Sequence, residues 1–302
     1  MGHLFRMLNF SVFLKSQNEK FIFLINDDNK LKNILKLNNV SFEIVKLNNN
    51  QINWERDIVL RHKIIYWVND RLNTTKQHAL KVKQLNIKLI TLDDFGSGAR
   101  LSDISIYGLA HKGNFKGKKI LRGIDYLILD KEIDLYKKKR SQVKKILVTL
   151  GGSDTYGVTI KVLKLLKKYK IKATIHLGPS FLHEEELQKE LTKDYKTITY
   201  IPSLIREFSK YDLAITGGGI TPFEANASGL PCLIIANELF EIDNGFFLES
   251  LNSSKFLGHY YNINEDIFSN LNILNINLMS RNGMQKLKTQ AIKKIYKNIK
   301  AK

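Results

Sequence analysis

The sequence predicts an α/β protein made of two doubly wound halves with parallel sheets. Three observations predict it. Short apolar runs of strand length alternate with helix-period segments along nearly the whole chain. Two glycine-rich turns, at 150–153 and 217–219, each follow a strand run and lead towards a helical segment. The length of 302 residues is about twice the roughly 100–200 of one domain.

The first half opens on a helical pattern, Leu4, Met7, Leu8, Phe10 and Leu14. A doubly wound domain ordinarily opens with a strand whose glycine-rich turn enters the first helix. Here only Gly2 and His3 stand where that turn belongs. We read this as a strand missing upstream, through a start codon placed too late or a variant domain. Strand runs follow at 21–25, 42–45, 64–68 and 87–92, with a helix over 73–84. Residues 131–145 are charged and poor in apolar side chains, as linkers are. The second half reads as strands at 146–150, 173–177, 197–201, 213–216 and 231–236, with helices at 158–168, 184–192 and 221–228. Domains are therefore expected at 1–135 and 136–283. The tail, 284–302, is helical in period over 284–299 and is expected to cross back to the first half.

Composition narrows the function. Forty-eight basic against 29 acidic residues give a net charge of +19, which invites a nucleic-acid reading. The lysines are spread along the chain, however, and the clusters at 137–145 and 286–302 carry no interleaved stacking aromatics. No nucleic-acid partner is expected; basic helical tails allow at most weak contact with an anionic membrane surface. No apolar run reaches the roughly 18–20 residues of a spanning helix. The single cysteine, Cys232, forms no internal bridge, and the N-terminus lacks a signal-peptide core, so a cytoplasmic location is expected.

Four motifs carry candidate chemistry. Leu150-Gly151-Gly152-Ser153-Asp154 lets backbone amides approach a phosphate, or serves as an ordinary strand-to-helix turn that Ser153 or Asp154 caps. Thr216-Gly217-Gly218-Gly219-Ile220-Thr221-Pro222-Phe223-Glu224 offers three glycines directly after a strand. Thr221 suits the helix N-cap, with Pro222 first and Glu224 third in a capping box, so Glu224 either closes its own helix or accepts from ribose hydroxyls. Gly229-Leu230-Pro231 leads a strand to Asn237-Glu238 and Asp243-Asn244, where Asn244 either reaches a phosphate or sugar hydroxyl or lies in a solvated loop. Gly2-His3-Leu4-Phe5-Arg6 places a histidine at a helix N-terminus with Arg6 on the same face, either a general base towards water or a frayed terminus.

Other patterns are negative. Asp93-Asp94-Phe95-Gly96 stands at one strand end and Asn69-Asp70-Arg71 at another, and the adjacent carboxylates Asp93 and Asp94 point apart and make a poor acid–base pair. Asp-x-Asp is absent, and His62, His78, His111, His176, His183 and His259 show no ligand spacing, so no metal is expected. There is neither a nucleophile elbow nor a P-loop.

The ordered set Gly2-His3-Leu4-Phe5-Arg6, Leu92-Asp93-Asp94, Gly123-Ile124-Asp125-Tyr126-Leu127-Ile128-Leu129, Leu150-Gly151-Gly152-Ser153-Asp154 and Gly217 through Glu224 resembles the PseG family, UDP-sugar hydrolases of pseudaminic-acid synthesis, with the related SpsG-like proteins. The C-terminal half resembles the MurG-type glycosyltransferases more loosely. The resemblance implies a GT-B fold, two Rossmann-like parallel-sheet domains facing a cleft. It implies UDP mainly on the C-terminal half, Glu224 near the ribose, and Gly218, Gly219, Ile220 and Thr221 near the diphosphate. It makes His3 the catalytic group that activates water. Arg6, Gly151, Gly152, Ser153, Gly217 and Asn244 complete the expected substrate-binding set. Two departures stand out: the family opens with a strand and glycine-rich turn before the Gly-His pair, and the segment 69–74 is closer to SpsG-like members than to pseudaminate hydrolases.

The expected function is metal-independent, cofactor-free hydrolysis of a UDP-linked deoxy acetamido sugar to free sugar and UDP, for nonulosonic-acid or surface-polysaccharide synthesis. The alternatives are a MurG-like glycosyltransferase using the same nucleotide site, and a catalytically impaired nucleotide-sugar-binding protein.

Overall fold

The computed structural model describes residues 2–47, 53–109, 113–199, 201 and 203–301. His111 and Tyr200 lie outside the described residues. The chain divides into two units, one of residues 1–128 with 290–302 and one of residues 129–289.

The first unit opens directly with helix α1 (Gly2–Ser16). Strand β1 (Phe23–Ile25), α2 (Asn29–Leu37) and β2 (Phe42–Ile44) follow, and β1 pairs β2 in parallel. Asp28 starts α2 by accepting from the Lys30 and Leu31 amides. Next come α3 (Trp54–His62), β3 (Tyr66–Asp70), α4 (Lys76–Gln84), β4 (Lys88–Leu92), β5 (Ile104–Tyr107) and β6 (Lys119–Arg122). The helix expected over 73–84 starts three residues late because Thr75 caps it, accepting from the His78 amide. Strands β3 to β6 form a second parallel sheet in sequence order.

The second unit contains α5 (Ile133–Tyr136), β7 (Ile146–Thr149), α6 (Val158–Lys168), β8 (Ala173–His176), α7 (Glu184–Glu190), β9 (Tyr195–Ile198), α8 (Leu204–Phe208) and β10 (Leu213–Thr216). It continues through α9 (Thr221–Ala227), β11 (Cys232–Ala236), α10 (Glu241–Ser250), β12 (Ser254–His259) and α11 (Ile276–Lys286). Its six strands run in the order β12-β11-β10-β7-β8-β9, all parallel. The chain builds outward from β7 to β9, then returns to β10 and builds outward on the other side. The order therefore reverses between β7 and β10, and ligands of such sheets bind beyond the carboxyl ends at that point. Strand β7 is fully buried on both faces, which is why its sequence Ile-Leu-Val-Thr reads as a continuous run.

The periodic tail is two helices rather than one. Residues 284–286 finish α11 in the second unit, and α12 (Ala291–Lys300) belongs to the first. Its Ile292, Ile295 and Ile299 join a core with Phe10 and Phe13 of α1 and Ile90, Ile104 and Ile106 of the sheet.

Candidate functional site

In the second unit both glycine turns leave the strands that flank the reversal point. Thr149 and Thr216, the last residues of β7 and β10, lie side by side in register. Gly151 is exposed and adopts φ +97°, a conformation that an L side chain strains to reach. The first turn does not run straight into its helix. Helix α6 begins at Val158, and Asp154 accepts from the Val158 and Thr159 amides at 2.8 Å each. The anion position at that helix end is therefore filled by Asp154, not left to a phosphate. Gly152 accepts from the Ser180 amide at 2.9 Å, while Ser153 shares a 3.1 Å contact with Thr155.

The second turn is held by two side chains of α10. Glu241 accepts from the Gly218 amide at 3.1 Å and the Asn237 amide at 2.7 Å. Asn244 donates to the Gly218 carbonyl at 2.9 Å and is fully buried. Asn244 thus sets the loop from behind. A Cβ at Gly218 would meet the Glu241 Cβ at 2.6 Å and its carbonyl at 2.9 Å, so only glycine lets the turn approach α10 this closely. Gly217 lies against Asn237, and Gly219 passes near Glu241.

The expected capping box does not form. Ile220 already has helical dihedrals, makes no side-chain cap, and puts Thr221 inside α9. Glu224, freed from capping, is partly buried. Burial, with the charge of Asp130 as a smaller cause, pushes its carboxyl up to about 8. Burial likewise raises Glu241, against the backbone amides that it accepts from.

In the first unit, the start of α1 reaches the carboxyl ends of β3 and β4. His3 Nδ1 lies 2.7 Å from Asp70 Oδ1. The His3 side chain is 44% exposed, whereas Asp70 is 4% exposed. Arg6 Nε donates to Asp70 Oδ2 at 2.9 Å, and its two terminal nitrogens pair with Asp70 and Asp93. Asp93 in turn accepts from the Gly108 amide at 2.9 Å and the Leu109 amide at 3.3 Å. Burial alone would raise the Asp70 carboxyl, but hydrogen bonds from His3 and Arg6 outweigh it and hold it below the ordinary range. Burial alone would lower Arg6, and its two carboxylate partners outweigh that and keep it charged.

Arg6 is only 6% exposed and saturated by carboxylates. It supports Asp70 and, through it, His3. Asp94 diverges from Asp93, accepting from the Thr74 and Gly96 amides. Asp70 and Glu241 were absent from the sequence-level site. An acidic residue closing a strand, or opening a helix beyond one, was the available signal for each. Among the described residues no cluster of three His, Cys, Asp or Glu is placed to hold a metal. No helix among them is long and apolar enough to cross a membrane.

Solved structures resemble this arrangement along nearly its whole length. MurG of Acinetobacter baumannii superposes with a TM-score of 0.70 at 14% identity, covering 99% of this chain and 96% of that one. Anabaena HepE, solved with UDP and glucose, gives 0.71 at 12% identity, covering 100% and 96%. The chain has the GT-B fold, two Rossmann-like domains. No family model matches it. An uncharacterized protein of Methanocaldococcus jannaschii is 30% identical over 271 residues, 79% of this chain and 54% of that protein. The spore coat polysaccharide biosynthesis protein SpsG of Bacillus subtilis is 27% identical over 185 residues, 55% of this chain and 54% of SpsG. The matches thus span about half the length of these curated relatives. The GT-B chain is a distant relative of SpsG, in line with the resemblance carried by its motifs.

Proposed function

We propose that the GT-B chain binds a UDP-sugar and that His3 activates water to cleave the bond between sugar and diphosphate, releasing free sugar and UDP without a metal. The observation that carries this reading is the His3–Asp70 pair. A buried carboxylate that accepts from Nδ1–H fixes the tautomer and leaves Nε2 as an acceptor on the exposed side of the ring. Such a nitrogen takes a proton from water as the water oxygen attacks the anomeric carbon. The second unit supplies the nucleotide site in this reading. The Gly219, Ile220 and Thr221 amides at the start of α9 receive the diphosphate, with Gly151, Gly152, Ser153 and Gly217 beside the same reversal point. The amide dipoles stabilise the departing charge. Glu224, protonated at neutral pH, donates to or accepts from the ribose hydroxyls.

The substrate class follows from the motif resemblance: a deoxy acetamido sugar destined for nonulosonic acid or another surface polysaccharide. SpsG, by its name, also serves polysaccharide synthesis. A second reading, transfer of the sugar to an acceptor, is favoured by the solved neighbours, which include MurG and the spinosyn forosaminyltransferase SpnP. A third, binding without turnover, remains for a chain lacking a working base.

The test is UDP release from a panel of UDP-linked acetamido sugars in buffer with EDTA, wild type against His3→Ala. Release without acceptor, lost in His3→Ala, supports hydrolysis. UDP binding with release only on adding a polysaccharide or lipid acceptor supports transfer. Binding with no release under either condition supports the third reading.

A further inference from the structure

Three tyrosines of the second unit meet at the carboxyl ends of its strands. Strands β11 and β12 end side by side, with Ala236 and His259 in register. The chain leaves β11 as Asn237-Glu238-Leu239 and β12 as Tyr260-Tyr261. Tyr156, from the segment between β7 and α6, stacks on Tyr260 with ring centres 4.5 Å apart and planes 15° apart. The Tyr261 ring centre lies 4.1 Å from that of Tyr260. Tyr260 is the anchor. It is buried in the main core of the unit, and Lys161 Nζ stands 4.7 Å from its ring centre. Its two neighbours face outward, Tyr156 at 39% exposure and Tyr261 at 79%.

A carboxylate borders the exposed rings. The Tyr156 hydroxyl donates to Glu238 Oε1 at 2.9 Å, and that carboxylate raises the phenol above its ordinary range, so it stays a donor. The other Glu238 oxygen has no partner among the described residues. Strand β10 lies between β7 and β11 in the sheet, so the Tyr156–Glu238 bond joins segments on either side of the second glycine turn. Exposed aromatic rings rimmed by polar groups mark a surface that binds something. The chemistry narrows the ligand. The face of a tyrosine ring is electron-rich and attracts C–H groups, while its hydroxyl stays with polar partners. A wholly apolar partner would bury the Glu238 carboxylate without a hydrogen bond, which is costly. A nucleotide would bring its phosphates up to the same negative charge. A pyranose fits both demands, with C–H groups across its flat face and hydroxyl donors around its edge.

We propose that Tyr156, Tyr261 and Glu238 form a saccharide-binding platform that takes a neutral hexose ring of a glycan, its C–H face on the tyrosines and its edge hydroxyls on Glu238. The platform is a second sugar position, separate from the glycine turns that receive the diphosphate in the reading above. It gives the second unit a hold on a carbohydrate chain that carries no nucleotide.

The inference needs neither UDP nor His3, so it stands or falls apart from the hydrolysis reading. The test is saturation-transfer NMR and calorimetric titration of the 302-residue chain with three neutral trisaccharides, maltotriose, cellotriose and chitotriose, and with uridine for comparison. Tyr261→Ala, Tyr261→Trp, Tyr156→Ala and Glu238→Gln are titrated beside the wild type, with UDP affinity and thermal unfolding measured on each. The expected result is saturation of ring C–H protons on one hexose of at least one trisaccharide. Affinity should fall about tenfold in either alanine variant and less in Glu238→Gln, and Tyr261→Trp should keep it. UDP affinity should be the same in all five proteins. The inference is overturned if no trisaccharide binds at millimolar concentration, or if binding is unchanged in Tyr261→Ala. It is also overturned if uridine alone binds and the tyrosine variants weaken UDP, which would make the rings a base-stacking site. Self-association that Tyr261→Ala abolishes, without saccharide binding, would overturn it in favour of a contact between copies.

Discussion

Replacing Asp70 by Asn removes charge from a carboxylate that is 4% exposed and serves both His3 and Arg6. Breaking a buried ion pair costs about 3–5 kcal/mol. Arg6 keeps Asp93, and Asn keeps the volume and one accepting oxygen, so the loss should be at or somewhat below the low end of that range, about 2–3 kcal/mol. At about 2–4 °C per kcal/mol for a domain of this size, the first unit should unfold roughly 5–10 °C earlier. The catalytic effect should exceed this. An Asn side chain can turn its NH2 group towards Nδ1, which reverses the tautomer and removes the acceptor at Nε2. General-base catalysis contributes about 10²–10⁴-fold, so kcat for UDP release should fall by about two to three orders of magnitude with KM little changed. The assay is steady-state UDP release with thermal unfolding alongside, on Asp70→Asn, His3→Ala and the double variant. A double variant no worse than His3→Ala alone would show the two acting as one unit. Wild-type release by Asp70→Asn alongside a dead His3→Ala would refute the orienting role. The sign with pH is also fixed. Asp70 is held below the ordinary range, so its stabilising contribution is present above about pH 4 and fades only as pH falls through its lowered value.

Three further outcomes are expected. Glu224 titrates near 8 in the folded protein, so its share of stability is present at pH 4 and lost as pH rises towards 8; Glu224→Gln should gain in melting temperature over wild type between pH 5 and pH 8, and a constant difference would contradict the burial. Gly218→Ala forces a methyl against Glu241 and should cost about 1–3 kcal/mol, with weaker UDP binding by calorimetry and no change at His3. Asp154→Ala removes the group that accepts from two amides of α6 and should cost about 0.5–2 kcal/mol in denaturant unfolding, with UDP affinity nearly unchanged.

The middle strands of the second unit's sheet were legible because both faces are buried and the apolar run is continuous, as in 146–149, 213–216 and 232–236, whereas Ile104–Tyr107, just as buried in the middle of the first unit's sheet, was not read. The outer strand Ser254–His259 was not, since its burial is mixed and Gly258 interrupts it. Strand β9 begins two residues earlier than expected because Tyr195 packs into the core. The glycine turns were legible as motifs, but their wiring was not. Glu241 meets Gly218 across 23 residues and His3 meets Asp70 across 67, distances at which no local spacing survives. The capping box failed at one residue: Ile220 adopts helical dihedrals itself, and the Thr221 side chain loses its place at the end.

Helix α12 closes the core of the first unit with three isoleucines that are each at most 5% exposed. On a ribosome those isoleucines emerge only after the whole of residues 129–289 has been made. At roughly 5–20 residues per second, that is a delay on the order of ten to thirty seconds. The unit written first is thus finished last, and Phe10, Phe13 and Ile104 wait with an unfilled face while their neighbour folds. Nascent chains of this protein should engage chaperones through their N-terminal part, and loss of the last dozen residues should unfold the beginning of the chain, not its end.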